Sequence, residues 1–482
     1  MAWIAFSAAS AALATDYHVG PGQPLAAVSD VPWESLAAGD RVFIHWRATP
    51  YKEKWVLNAL GTPAQPILVS GVLGPSGERP VIDGRDAITR PALDFWNEVR
   101  GVIKVGGSNV PADGLPSYIQ IENLEVRSGR PPFTFTDTDG NLQNYADNAA
   151  AIYIEKAAHL TIVNCELHDS GNGLFSGAFN GQTEDLLIES NYIHDNGNDS
   201  SAFHHNTYTS AIGITYQYNR FGPLRPGTDG NNLKDRSAGL IVRYNWIEGG
   251  NRQLDLVEAD DSEVINHPDY RATHAYGNVL IEPDNEGNSQ IVHYGGDGGD
   301  DAQYRKGTLH FYNNTLVSTR SGNTTLLRLS TNDESADVRN NILYVTAQGN
   351  RLAMLNEAGA LTLRNNWTKP GWVDTHGSLT GSIDDDGSGV EGASPGFVDE
   401  VGQDYHLEFD ADGVDAGTAL HPDVLPDHPV ALQYVKHLAQ EPRPLESTLD
   451  IGGFEYCDTN CGPIFADGFE SGDTSAWSAT VP

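Results

Sequence analysis

Between residues 200 and 300 the chain gathers groups that can move protons and hold negative charge. Phe203-His204-His205-Asn206-Thr207-Tyr208 is followed by Gly230-Asn231-Asn232-Leu233-Lys234-Asp235-Arg236, and then by Asn251-Arg252-Gln253-Leu254-Asp255-Leu256-Val257-Glu258. Such a concentration of cations is unusual in a chain with 29 Lys plus Arg against 65 Asp plus Glu. The set suits removal of a proton α to a carboxylate, because the resulting dianion must be stabilised by cations and the base must be unprotonated near the working pH. On this reading Lys234 is the base, its ammonium depressed by the like charges of Arg236 and Arg252. Tyr208 or His205 then protonates the departing oxygen, and Asn206, Asn232 and His204 contact the substrate. Lys234 and Arg236 can also form ordinary surface pairs with Asp235, Asp255 and Glu258, an arrangement worth little stability.

A repeating frame must place these residues. The block apolar-x-apolar-x-x-Asn-x-apolar recurs around Asn191, Asn219, Asn245, Asn278, Asn314, Asn341 and Asn366, with Cys165 in the Asn position of an earlier copy and Leu124 in one before that. From Cys165 onward the copies are 25 to 36 residues apart. One β-branched strand per period, separated by Gly, Asn and Asp, is the signature of a solenoid whose rungs stack as parallel strands. An inward Asn at each turn is expected to bond the backbone of the adjacent rung. Tyr208 and Lys234 each fall 11 residues before a ladder Asn, so they should stack on neighbouring rungs. Strand alternation then predicts Asn232, Lys234 and Arg236 on one outward face, with Asn206 and Tyr208 beside them and Asp255 on the next rung. The longest periods hold Glu258 to Arg271 and the loop Gly295-Gly296-Asp297-Gly298-Gly299-Asp300-Asp301, and such insertions collect on one binding face. That loop reads as flexible. His168-Asp169 and His194-Asp195 recur at one repeat position and read as turn chemistry.

With its opening Tyr17-His18-Val19-Gly20-Pro21-Gly22, Ala38-Gly39-Asp40-Arg41-Val42-Phe43-Ile44 and Val81-Ile82-Asp83-Gly84, the chain resembles the right-handed parallel β-helix proteins of the pectate lyase superfamily. Asp450-Ile451-Gly452-Gly453-Phe454-Glu455-Tyr456 looks like the strand that often closes them. The resemblance implies an all-β, single-stranded solenoid with an N-terminal cap, and cleavage of a uronate-containing polysaccharide by β-elimination. Asn-Asn-Leu-Lys followed a rung later by Leu-Asp-Leu resembles the lysine-base pectate lyases, in which a calcium-binding Asp cluster follows the Lys. Only Lys234 and Asp255 carry over. Arg252 stands where further carboxylates are expected, so either Arg replaces the metal or Glu258, Asp260 and Asp261 supply ligands beside Asp255, and the cofactor is none or Ca2+. A glycoside hydrolase using Asp255 with Glu258 or Asp260, and a non-catalytic carbohydrate-binding solenoid, are the alternatives.

Composition narrows the classes. The net charge of −36, with no basic block, argues against a nucleic-acid partner. Beyond the first 15 residues no apolar run approaches the length of a membrane span. Residues 1–14 read as a signal peptide ending in Ala12-Leu13-Ala14, and so predict a secreted or periplasmic protein. Residues 15–456 read as the β-helix and 457–482 as an acidic, Gly-rich tail. The expected partner is an acidic polysaccharide, and the chain is expected to be a monomer. Of three cysteines, Cys457 and Cys461 are spaced for a local disulfide, and Cys165 is expected buried and reduced.

Overall fold

A computed structural model describes residues 14–444 and 448–457. The proposed signal peptide up to residue 13, the tail from 458 and Cys461 lie outside the described residues. The chain is an all-β, right-handed parallel β-helix, its coils contributing short strands to three long sheets of 13, 11 and 13 strands. The first runs from Asp16–Val19 to Ser382–Asp385, and the second from Val81–Asp83 to Val390–Glu391. The third includes Gly101–Val105 and ends at Leu352–Leu355. None of the helices among the described residues is long and apolar enough to cross a membrane.

Alternation within strands builds the core. Ala158–Val163 and Ala238–Arg243 bury every second residue. Leu160, Leu186, Ile214 and Leu240 follow one another in register from rung to rung, each nearly inaccessible to solvent. Burying such an aliphatic side chain contributes roughly 1.5–3 kcal/mol, which a single rung could not secure alone.

The inward Asn ladder forms as the spacing predicts. Asn191 Oδ1 accepts the Cys165 N–H at 2.9 Å, Asn219 Oδ1 the Asn191 N–H at 2.9 Å, and Asn245 Oδ1 the Asn219 N–H at 3.0 Å. The same bond continues through Asn278, Asn314, Asn341 and Asn366. Each amide nitrogen also donates to a carbonyl of the preceding coil, as Asn191 Nδ2 does to Ile162 at 2.8 Å. The residue before each of these Asn turns the corner in the left-handed region, Tyr218 at φ 58° and Tyr244 at 52° among them. Cys165 is free and buried, and burial pushes its thiol up to about 12. His168 stacks on His194 at 5.0 Å and 4°, followed by Asp169 and Asp195 at φ 50° and 49°, in agreement with a turn role.

The C-terminal part departs from the expected closing strand. After Val390–Glu391 the chain leaves the coil and folds back over the second sheet through the antiparallel pairs Phe397–Asp399 with Asp404–Leu407 and Leu432–Val435 with Ala439–Pro442. Residues 450–456 add no strand. Instead Ile451 and Phe454 join Tyr405, Tyr434, Trp246 and Trp367 in a second apolar cluster outside the coil. Outward-facing Trp246 and Trp367 demanded cover, and this segment supplies it.

Candidate functional site

The third sheet aligns Phe175, Tyr208, Lys234, Asp255, His293 and Arg328 in one register across successive coils. Tyr208 and Lys234 are neighbours because their rungs are of equal length. Leu233 and Leu254, one position earlier, point into the core and are fully buried, which turns Lys234 and Asp255 to the outer side.

Lys234 Nζ lies 2.7 Å from Asp255 Oδ2 and 2.6 Å from Asp297 Oδ2. Burial alone would lower the Lys234 ammonium, but these two carboxylates outweigh it and hold the group above its ordinary value. The expected depression by Arg236 and Arg252 is therefore overturned. Arg236 and Arg252 face the same two carboxylates, at 3.3 Å and 3.7 Å, and the charges nearest Lys234 are negative. Lys234 stands in this arrangement as a fixed cation.

Asp255 is almost wholly buried and saturated with donors. Its Oδ2 accepts from Lys234 and from Asn231 Nδ2 at 2.7 Å, and its Oδ1 lies 2.8 Å from His293 Nδ1 and 3.7 Å from Arg252 Nη1. Burial alone would raise its carboxyl, yet the His293 hydrogen bond and the Lys234 charge hold it far below the usual range. His293 is itself lowered by burial, against the pull of Asp255, and its Nε2 lies 2.9 Å from Ser330 Oγ. Ser330 Oγ accepts the Gly296 N–H at 2.8 Å, so the Asp255–His293–Ser330 chain ends as an anchor of the glycine-rich loop.

Glu258 anchors the same loop from the other side, accepting the N–H of Asp297 at 2.8 Å and of Gly298 at 2.5 Å. A Cβ on Gly298 would sit 2.3 Å from Glu258 Oε1, so a larger residue here would push that carboxylate away from the loop. The loop expected from composition to be flexible is thus tied through its first half, Gly296 to Gly298. Asp255 and Glu258, expected as metal ligands, have their oxygens occupied by N–H donors and are ringed by Lys234, Arg236, Arg252 and His293. That donor set does not suit calcium, which takes six to eight free oxygen ligands.

Arg236 lies beside Tyr208. Its Nε donates to the Tyr208 hydroxyl at 3.0 Å, its Nη1 bonds the Glu258 carbonyl, and its Nη2 reaches Asp297 Oδ1 at 3.3 Å. Arg252 makes its hydrogen bond to Gln290 Oε1, at 2.8 Å, and faces Asp255 from the far side. His205 is buried edge-on against Tyr208, ring centres 5.3 Å apart. Its Nδ1 accepts the Asn231 N–H at 2.9 Å, which leaves the proton of the neutral ring on Nε2. Burial first, and then the Lys234 charge, push His205 down to about 3, so it stays neutral and supports Tyr208 from below. His204 is buried on the same turn, its Nδ1 without a hydrogen-bond partner.

Asn206 and Asn232 do not join the outward face. Both are fully buried in a corner ladder, Asn206 Nδ2 donating to Asn232 Oδ1 at 2.8 Å and Asn232 Nδ2 to the Glu248 carbonyl at 2.8 Å. Alternation holds only across the three-residue strands Thr207–Thr209 and Leu233–Asp235, and these Asn precede them at the turn. His293, Asn231, Asp297 and Ser330 are the site residues that the sequence reading left out. The Ile291-Val292-His293-Tyr294 run carried a signal, since alternating apolar neighbours turn His293 outward.

No family model matches the chain, and no curated protein matches its sequence. Among solved structures it is similar to the pectate lyase Pel9A, at 13% identity over 92% of this chain and 97% of that one, with a TM-score of 0.45. An alginate lyase from Paenibacillus sp. str. FPU-7 matches at 15% identity over 72% and 97%, with a TM-score of 0.43. A GH136 lacto-N-biosidase from Eubacterium ramulus matches at 13% identity over 77% and 68%, with a TM-score of 0.39. These values bear on neither substrate nor site residues.

Proposed function

We propose that the protein is a polysaccharide lyase that cleaves a uronate-containing polymer by β-elimination on the outer face of the third sheet, exported from the cytoplasm and acting as a monomer. The observation that carries this reading is the Asp297 carboxylate, which gives one oxygen to Lys234 at 2.6 Å and the other to Arg236 at 3.3 Å. A uronate carboxylate taking that place would have both oxygens neutralised. Its C5 proton would then be removed next to two cations that stabilise the dianion. Tyr208, whose oxygen is held by Arg236, is the proton-transfer group: its oxygen takes the C5 proton and returns that proton to O4 as the C4–O4 bond breaks and the C4–C5 double bond forms. Lys234 serves as charge stabiliser in place of the base role first expected, and Asp255 with His293 positions it.

Hydrolysis by paired carboxylates has less support. Asp255 and Glu258 are both buried and bonded to cations or amides, and neither is free to act as general acid or nucleophile. The reading further holds that no calcium is needed at this cluster.

The test is incubation of the protein with pectate, alginate, hyaluronan, chondroitin and heparan chains, with and without chelator. Ultraviolet absorbance from a new C4–C5 double bond, unaffected by chelator, is expected on one class. New reducing ends without that absorbance would mean hydrolysis, and unchanged polymer length on every chain would leave a binding solenoid.

A further inference from the structure

The outer face of the first sheet carries a second group of chemically capable side chains, on a different sheet from Lys234. His274, His310 and Asp337 align in register on neighbouring strands. The chain segment 417–430 lies over them. It is fastened by Arg339 Nη1 to the Ala419 carbonyl at 2.8 Å, by the Tyr312 hydroxyl to the His428 carbonyl at 2.8 Å, and by the Tyr244 hydroxyl to the Pro429 carbonyl at 3.3 Å. Under this strap His310 and His421 face each other with ring centres 5.2 Å apart.

His310 is 4% exposed and its Nδ1 is buried with no hydrogen-bond partner. A buried polar atom left unpaired costs stability and calls for a partner. His421 uses Nδ1 to cap its own turn, accepting the Asp423 N–H at 3.2 Å, which leaves Nε2 free to bind a ligand. One ligand atom from each of His310, His421 and Asp423 lies within 4.8 Å of the others. Asp337 is spoken for by Arg339, at 2.5 Å, and so does not compete for the same place.

We propose that His310, His421 and Asp423 form a binding site for a borderline divalent transition-metal ion of the zinc class, which pins the strap of residues 417–430 to the first sheet. Two imidazoles and one carboxylate are the ligand types zinc takes, with a fourth position left for water on the exposed side of Asp423. Imidazole nitrogen disfavours calcium and magnesium, which select oxygen.

The test uses the full chain without a purification tag, stripped with chelator and then titrated with zinc by calorimetry, with bound metal counted by elemental analysis. One zinc per chain and a rise in the unfolding midpoint with zinc are expected. His421→Ala and Asp423→Asn should each weaken binding at least tenfold and abolish the midpoint rise. Neither side chain is in the core, so circular dichroism should be unchanged. Absence of saturable zinc binding in the unaltered protein, or binding of unaltered strength in both variants, would overturn the site. A calcium response equal to that of zinc would overturn the assignment of metal class.

Discussion

Asp297 Oδ2 lies 2.6 Å from Lys234 Nζ although the two residues are 63 positions apart, joined by a loop that Glu258 and Ser330 hold in place. If the Asp297 carboxylate stands where a uronate carboxylate must go, it competes with substrate. Asp297→Asn keeps the backbone N–H bonded to Glu258 and removes the competing charge. The expected outcome in steady-state kinetics is a fall in KM of about 3- to 10-fold with kcat little changed. A collapse of kcat instead would place Asp297 in the proton transfer itself.

Tyr208→Phe removes one oxygen from a half-buried ring and leaves its packing on Phe175 and His205. Turnover is expected to fall about 10²- to 10⁴-fold, the usual contribution of a positioned acid or base, with the unfolding midpoint within a few degrees of the parent. A kcat within a factor of about three of the parent would remove Tyr208 from the chemistry.

How far this site was legible follows from where rung lengths stay constant. Tyr208 and Lys234 could be paired from their shared offset to the ladder Asn, and the ladder itself was readable because an inward Asn is needed at the same point in each coil. Asp255 onward lie in the long rungs, whose insertions fall between strand and ladder Asn. The offset fails there, and His293 went unseen. Asn206 and Asn232 were misplaced because period-two alternation was extended past the ends of three-residue strands. The charge state of Lys234 was misjudged for a different reason: Asp297 comes from a loop whose approach no local pattern encodes.

Lys234→Ala is expected to be inactive and also less stable, because it strips a buried carboxylate of one partner. Asp255 keeps Asn231, His293 and Arg252, so the cost should be about 1–3 kcal/mol, read from urea unfolding. A variant with unaltered stability would mean that the pair with Asp255 contributes nothing net.

Asp255 also sets an acid limit. Its folded carboxyl lies below the ordinary value, so its stabilisation is complete above the unfolded value of about 3.9 and is lost as pH falls below that. Urea midpoints taken between about pH 5 and pH 3 should therefore fall more steeply for the parent than for Asp255→Asn, which has no such proton to bind. Parallel curves would show that other carboxylates dominate the acid response.

The two arginines of the cluster are expected to differ in function. Arg236 uses three nitrogens at once, on the Tyr208 hydroxyl, the Glu258 carbonyl and Asp297. An ammonium in its place keeps one charge but cannot span those three directions, since a planar fork is what fits them. Arg236→Lys should therefore misplace the phenol and lower kcat by about 10²-fold or more, an effect on the rate at saturation more than on KM. Arg252 bonds Gln290 and faces Asp255 from the side away from Tyr208, so Arg252→Lys should keep kcat within about 10-fold of the parent. The two variants compared on one substrate decide the assignment. Equal losses in kcat would mean that the cluster acts through summed charge alone, and that the Arg236–Tyr208 bond has no special part in proton transfer.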